Sequence, residues 1–499
     1  MATLQGRLPY HLRSFHGGIS DFEDRGTAGS FKYGSGLDIR KQRDTLSCQQ
    51  GLKDYIATGT ITANALWTVI GDDGNVYHFC KDGKIFRTNV GGTTLLVYTE
   101  VNESGNIIGA AQWYDNVGNT YLFWATTTRL NIKRIIGTAY TNTEPWADVN
   151  TVPTGTWPKT NLTSTTWHTM RVCNGGLYIA NAQYLAFVGY DMSYNNLAIQ
   201  LIPGNATKTM VERGTYVIAG ANRVTNIEEC SVYAWDQQSL NYNDKKIMKQ
   251  SGINSMIDTE VALMQVGVNG QLFSSDLRNP QPLFTYPGGG QTYPDGVTSD
   301  RGMALFGIYG NTNSNGLYSY GRLKKNAPIV PNLEYPLVCD EITSICKFGT
   351  NILIAYRTGA TWGVKQLDTA NKGDGVYQSL DLIAPLGTRR YPIPLGRFLN
   401  WAWVDLHCLP LPAGCGIEVW YRLDKILGTS LNANADSNGW VQANLQDQPL
   451  VYRLITAGTQ NAIWAVNEKS QVFEIQIKLF HSGNTTPEVM EANIYMNFG

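Results

Sequence analysis

The chain has 499 residues, with 39 Lys and Arg against 40 Asp and Glu for a formal charge of −1, a length that accommodates two to four domains of roughly 150 residues. A near-neutral chain lacks the long-range attraction that non-specific nucleic-acid binding needs, and 43% hydrophobic content excludes a self-repelling disordered polymer. Only 16% charged residues, 51 glycines and 11% aromatics point to an ordered, turn-rich β protein.

The first twenty residues hold no apolar core segment and no small-residue cleavage site, so no secretory signal is expected. No stretch of the chain reaches the ~20 apolar residues of a membrane-spanning helix. Residues 1–60 are rich in Gly and in charge of both signs, with only short strand-like pieces. They are predicted to form an extended arm, or a segment that closes a ring. An arm with little core of its own is a natural contact for a neighbouring subunit, and Phe31, Tyr33, Leu37, Ile39 and Arg40 are its candidate contact residues.

From 61 to 370 a loose unit recurs: an apolar run, a Gly-containing tight turn, and a second run ending in Tyr, Phe or Trp. It begins at Ala65–Ile70, with Asp73-Gly74 and Asp82-Gly83 turns. It returns near Trp113, near Asn174-Gly175, at Thr215–Ala219, at Ala262–Val266 with Asn269-Gly270, at Met303–Ile308, and at Ile342–Tyr356. Centres spaced by roughly 40 to 60 residues match the blade period of a β-propeller. Asp-Gly and Asn-Gly supply the positive φ that two-residue hairpins require. The second unit is weak and 139–165 is polar, so six or seven blades are expected. Unrelated meandering sandwiches are the plainer alternative.

The texture changes near Asn371–Gly375, a linker-like stretch. Beyond it, 376–499 is predicted to be an antiparallel β-sandwich: Phe473, Ile475, Ile477 and Leu479 alternate with Glu474, Gln476 and Lys478, a period-2 pattern with one face in a core and one in water. Ile417–Arg422 and Met490–Met496 behave alike, and 429–439 is a loop. The fold class is therefore all-β, a propeller followed by a sandwich.

Chemistry is scarce. There is no phosphate-binding Gly-rich loop, no nucleophile elbow and no paired-His spacing among the six histidines. The eight cysteines are scattered without a Cys-x-x-Cys pair, so reduced buried thiols are expected and no metal or cofactor site is assigned. Asn-x-Ser/Thr matches at Asn102, Asn161, Asn205 and Asn484 are then chance. A glycan hydrolase needs two carboxylates in reach of one bond. The candidates Asp21/Glu23/Asp24, Asp72/Asp73, Glu228/Glu229 and Asp340/Glu341 each read as solvated turn residues. Trp401 and Trp403 flank Ala402 on one strand face, and Trp420 lies on the polar face of its own strand. These three are candidate exposed aromatic anchors, with a core position the alternative. Basic clusters at Arg40/Lys41/Arg43, Lys245/Lys246/Lys249 and Arg389/Arg390 read as solvated faces, lining a DNA passage only if subunits form a ring.

The run from Gly29 to Arg40 (GSFKYGSGLDIR) resembles the opening of β-rich structural proteins of tailed bacteriophages. The layout, Gly-turn repeats and then a C-terminal sandwich that ends with the stretch from Thr486-Pro487-Glu488-Val489-Met490 to the terminus, is similar to tail hub or nozzle proteins of short-tailed phages. The resemblance implies a non-enzymatic virion component made in the host cytoplasm. It would assemble as a homo-oligomeric ring and dock to other tail or neck proteins. A host-attachment module binding a surface glycan or protein is the second class, and a polysaccharide-degrading enzyme the third.

Overall fold

The computed structural model describes the chain apart from residues 1–6, 21–28, 41–44, 90, 102–104, 136–156, 226–227, 261, 276–278, 311–313, 323–327, 384–398, 424–434, 471 and 498–499. Asp21, Glu23, Asp24, Lys41, Arg43, Arg389, Arg390 and most of the 429–439 loop therefore lie outside the described residues. The described residues are all-β, and the chain divides into two compact units. One comprises Lys53–Leu317 and Leu337–Leu367; the other comprises Met1–Leu52, Tyr318–Pro336 and Asp368–Gly499.

Seven antiparallel sheets follow one another along the chain, most of their strands in the first unit and the last two of sheet six, Gly316–Gly321 and Val330–Pro336, almost wholly in the second. Sheet one spans 65–99, sheet two 109–135, sheet three 170–200, sheet four 205–248, sheet five 253–285, sheet six 297–336 and sheet seven 341–372. Sheet two shows three strands, and the others four. Sheet seven takes its fourth strand, Gln50–Ile61, from the other end of the chain. The leading strands are Ala65–Ile70, Gly109–Tyr114, Met170–Cys173, Asn205–Arg213, Ile253–Asp258, Val297–Asp300 and Glu341–Phe348. Each packs on the next, and the last packs on the first. Seven sheets so closed form the ring of a β-propeller.

The sequence explains this locally. At Asn174 (φ 39°) and Gly175 (φ 80°) two consecutive left-handed residues join strands whose register closes at Cys173–Gly176, a two-residue hairpin. Each sheet then buries both faces. Thr120–Ala125 is buried along its whole length because Trp113, Tyr121 and Phe123 meet Leu177 and Ile179 of sheet three, while Leu122 and Trp124 meet Tyr77 and Phe79 of sheet one. Ile56, Leu353 and Val364 of sheet seven similarly meet Ala65, Val76 and Phe86 of sheet one.

The second unit holds two antiparallel sheets. In one, Glu488–Asn497 lies between Arg7–Leu12 and Leu399–Cys408, and Asn461–Ser470 continues it. In the other, Val472–Phe480 lies between Gly375–Gln378 and Gly416–Leu423, and Tyr33–Ser35 pairs with Gly375–Gln378. Of the first sixty residues, expected as an extended arm or a segment that closes a ring, Arg7–Leu12, Tyr33–Ser35 and Leu46–Ser47 pair within these two sheets and Gln50–Ile61 within sheet seven. Phe31, Leu37 and Ile39 are buried, and Phe15 and Phe31 both pack on the Tyr377 ring at 5.4 Å. The first fifty residues contain enough aromatic surface to join a core, and short Gly-broken strands conceal it. The alternation of Val472–Phe480 holds for its apolar residues. Glu474, however, is buried rather than in water, neutralised by Lys32 Nζ at 2.7 Å and Arg422 Nε at 2.6 Å.

Candidate axial site

The leading strands bring residues from distant parts of the sequence to the inside of the ring. Asp295 stands two residues before the leading strand of sheet six. Its Oδ2 accepts from Ser344 Oγ at 2.8 Å and from the Thr68 amide at 3.2 Å, and its Oδ1 accepts from Arg171 Nη1 at 3.3 Å. One carboxylate thereby ties sheets seven, one and three to its own. Burial pushes the Asp295 carboxyl up, opposed by Arg171, Ser344 and the Thr68 amide.

Beside it lies an aromatic group. Trp167 stacks on Trp67 with ring centres 5.9 Å apart and meets Tyr293 edge-on at 5.8 Å, and Tyr293 stacks on Tyr309 at 5.2 Å. The segment carrying Trp167 approaches closely because Gly109 has no side chain. A Cβ there would stand 1.9 Å from the His168 carbonyl oxygen. Glu341 accepts from Asn64 Nδ2 at 2.7 Å and pairs with Arg357 Nη2 at 3.0 Å. Burial alone would raise its carboxyl, but these hydrogen bonds prevail and hold it below the ordinary value. Burial, reinforced by Glu341, pushes the Tyr293 hydroxyl up to about 12.

Lys208 completes the group from sheet four. Its Nζ donates to Asn254 Oδ1 at 2.7 Å and stands 6.0 Å from the centre of the Trp167 ring. Asn254 is fixed in turn by donating to Gln265 Oε1 at 2.7 Å and to the Gly267 carbonyl at 3.1 Å. Among the described residues the Lys208 ammonium forms no ion pair, and burial lowers its pKa to about 8. Asp295 and Glu341 are both engaged by cations and amides. What the arrangement offers to a ligand is a half-buried indole face beside an ammonium that uses one of its three N–H donors.

Of the residues singled out in the sequence, Glu341 lies here, engaged rather than solvated, while the candidate contact residues and aromatic anchors belong to the other unit. Arg40 pairs with Glu334 and donates from Nη2 to the Val330 carbonyl at 3.0 Å; Glu334 also accepts from Gln49 Nε2 at 2.6 Å and Ser319 Oγ at 2.7 Å. Tyr33 is half-buried in its three-residue strand. Trp401 is corrected as an anchor, being buried and stacked on Phe473 at 4.5 Å. It and Trp403 do not share a face. The register shifts between them, Trp401 opposite Met496 and Trp403 opposite Tyr495, so the bulge at Ala402 inverts the alternation. Trp403 packs on Tyr495 at 5.3 Å. Trp420 is half-buried, donates to Glu418 Oε2 at 3.0 Å and lies under Lys478 Nζ at 3.8 Å. Asp73, read as a solvated turn residue, is buried and accepts from the Asn75 amide, Asn75 Nδ2 and Tyr77 Oη. All eight cysteines are unbridged, seven of them buried.

No protein-family model and no curated protein sequence matches the chain. Solved structures similar to it include the WD40 β-propeller domain of Doa1, at 12% identity over 64% of this chain and 97% of that one, with a TM-score of 0.42. The propeller domain of Cps50 (Swd1) from Myceliophteria thermophila is similar at 11% identity over 62% and 99%, TM-score 0.42. The extracellular domain of the B. thetaiotaomicron hybrid two-component system BT4673 is similar at 14% identity over 73% and 43%, TM-score 0.42. The ring itself is read from the strand pairing and inter-sheet packing of this chain.

Proposed function

We propose that the protein is a structural, non-enzymatic component of a tailed-phage virion, a tail hub, nozzle or tip protein that assembles with copies of itself and with other tail or neck proteins. The observation that carries the assembly role is a run of apolar side chains held in water. Leu450 is 85% and Ile455 64% exposed, with Val451 and Tyr452 exposed between them. Large apolar side chains exposed together in one short segment are costly in a monomer and mark an interaction surface. The virion assignment draws on the resemblance of residues 29–40 and on the order of the two units, whose second we read as a β-sandwich. The stack of Trp401 in one sheet on Phe473 in the other supports that reading.

The test is the native mass of the purified protein together with that of Leu450→Asp/Ile455→Asp. A defined oligomer that the double variant dissociates supports the proposal. A monomer at every concentration, or absence of the protein from purified virions by mass spectrometry, overturns it.

A further inference from the structure

An ammonium half-buried inside a protein normally stands against a carboxylate, because removing it from water without a counter-charge is costly. Lys208 has none. Its Nζ meets a neutral amide oxygen of Asn254 and the face of Trp167. The other charged groups on the elements around it are engaged elsewhere, and Glu212 on the Lys208 strand accepts from the Asn174 amide at 2.9 Å. Arg171 on the leading strand of sheet three pairs with Asp295, Arg213 at the far end of the Lys208 strand pairs with Asp258 of sheet five, and Arg223 pairs with Glu229. Asn254, the one group Lys208 is bonded to, is itself held by Gln265 and Gly267, so the ammonium is fixed in place rather than left to swing. Trp67 Nε1, buried within the same stack, has no hydrogen-bond partner. The two remaining N–H donors of the ammonium and the Trp67 indole N–H thus stand unused beside an indole face that water reaches.

We propose that this point of the ring is a binding site for a small carboxylate carried on a sugar ring, of the uronic-acid class, with the carboxylate on Lys208 and the ring against Trp167. The site lies in the seven-sheet ring and stands independently of the assembly role, which rests on residues 450–455. The ammonium supplies the charge that the site lacks an anion to balance. The indole supplies an apolar face suited to the C–H face of a pyranose. A neutral sugar would leave the ammonium uncompensated, and an anion without a ring would leave the indole uncovered.

The probe is sodium glucuronate, titrated into the full chain while tryptophan fluorescence is followed, with glucose, acetate and inorganic phosphate as comparisons. The expected result is saturable glucuronate binding with a Kd on the order of 1 mM, and at least about tenfold weaker binding of each comparison. Lys208→Met is expected to lose about tenfold for glucuronate and nothing for glucose. Because burial leaves the Lys208 ammonium titrating near 8, wild-type affinity should fall several-fold between about pH 7 and about pH 9.5. The wild-type pH series carries the test even if Lys208→Met does not fold. Affinity that is flat with pH, glucuronate binding no tighter than glucose, or phosphate binding as tightly as glucuronate, each overturns the proposal.

Discussion

Asp295 Oδ2 and Ser344 Oγ meet at 2.8 Å, joining a residue that leads into sheet six to the leading strand of sheet seven. Because the same carboxylate also holds Arg171 and the Thr68 amide, its removal strands a half-buried guanidinium and an amide together. Asp295→Ala is expected to cost about 2–4 kcal/mol, and Asp295→Asn about half of that. Urea denaturation of the two variants checks the ranking.

His78 is buried without exposure, its Nδ1 3.3 Å from Thr68 Oγ1 and its Nε2 without a partner. Burial lowers its pKa to about 3. Between the ordinary value of about 6.5 and that depressed value, the unfolded chain takes up a proton that the folded chain refuses. Stability therefore falls with acidification by about 1.4 kcal/mol per pH unit across that window. His78→Gln is expected to flatten this limb, leaving a smaller difference in unfolding midpoint between pH 7 and about pH 4.5 than the wild type shows.

Trp401 and Trp403 are two residues apart yet differ in environment, one buried against Phe473 and the other half-buried on Tyr495. Trp401→Ala is expected to cost about 3–5 kcal/mol and Trp403→Ala less than half as much. If the bulge at Ala402 did not invert the strand, the two losses would be equal, and the pair of denaturation curves distinguishes these cases.

Gly109→Ala drives a methyl group into the His168 carbonyl, 1.9 Å from where its Cβ would stand. A loss of about 1–3 kcal/mol is expected. The diagnostic readout is a change in near-ultraviolet circular dichroism, because the displaced segment carries Trp167 and its stack on Trp67.

Much of the ring is legible in the residues. The seven hairpin units centred between Ala65 and Tyr356 correspond one to one with the seven sheets, because Asp-Gly and Asn-Gly turns announce themselves and buried strands read as apolar runs. Other turns carry no such signal. Arg301 takes φ 48° before Gly302 and makes the same kind of hairpin from an unremarkable pair. The axial site was not legible for a related reason. Arg171, Lys208 and Asp295 are single charges in separate strands or lead-ins, and their meeting depends on the closure of the ring rather than on any local spacing. Once the leading strands are known, a charge inside Met170–Cys173 or Asn205–Arg213 becomes a signal. The Trp401/Trp403 pair failed differently, since a one-residue bulge leaves no trace in composition.

The strand Gln50–Ile61 completes sheet seven beside Thr361–Lys372, and Ile61 and Thr361 are 300 residues apart in the chain. During translation that strand leaves the ribosome long before its partner exists. At about 5–20 residues per second it waits on the order of 15–60 s with an open edge. Sheets one to six can each form as they emerge from hairpin-range contacts, but the circle closes last and all at once. The final step thus joins early and late parts of the polypeptide, the kind of non-local pairing that slows folding. A chain truncated before Thr361 should consequently be a target for chaperones and proteases rather than a smaller working ring.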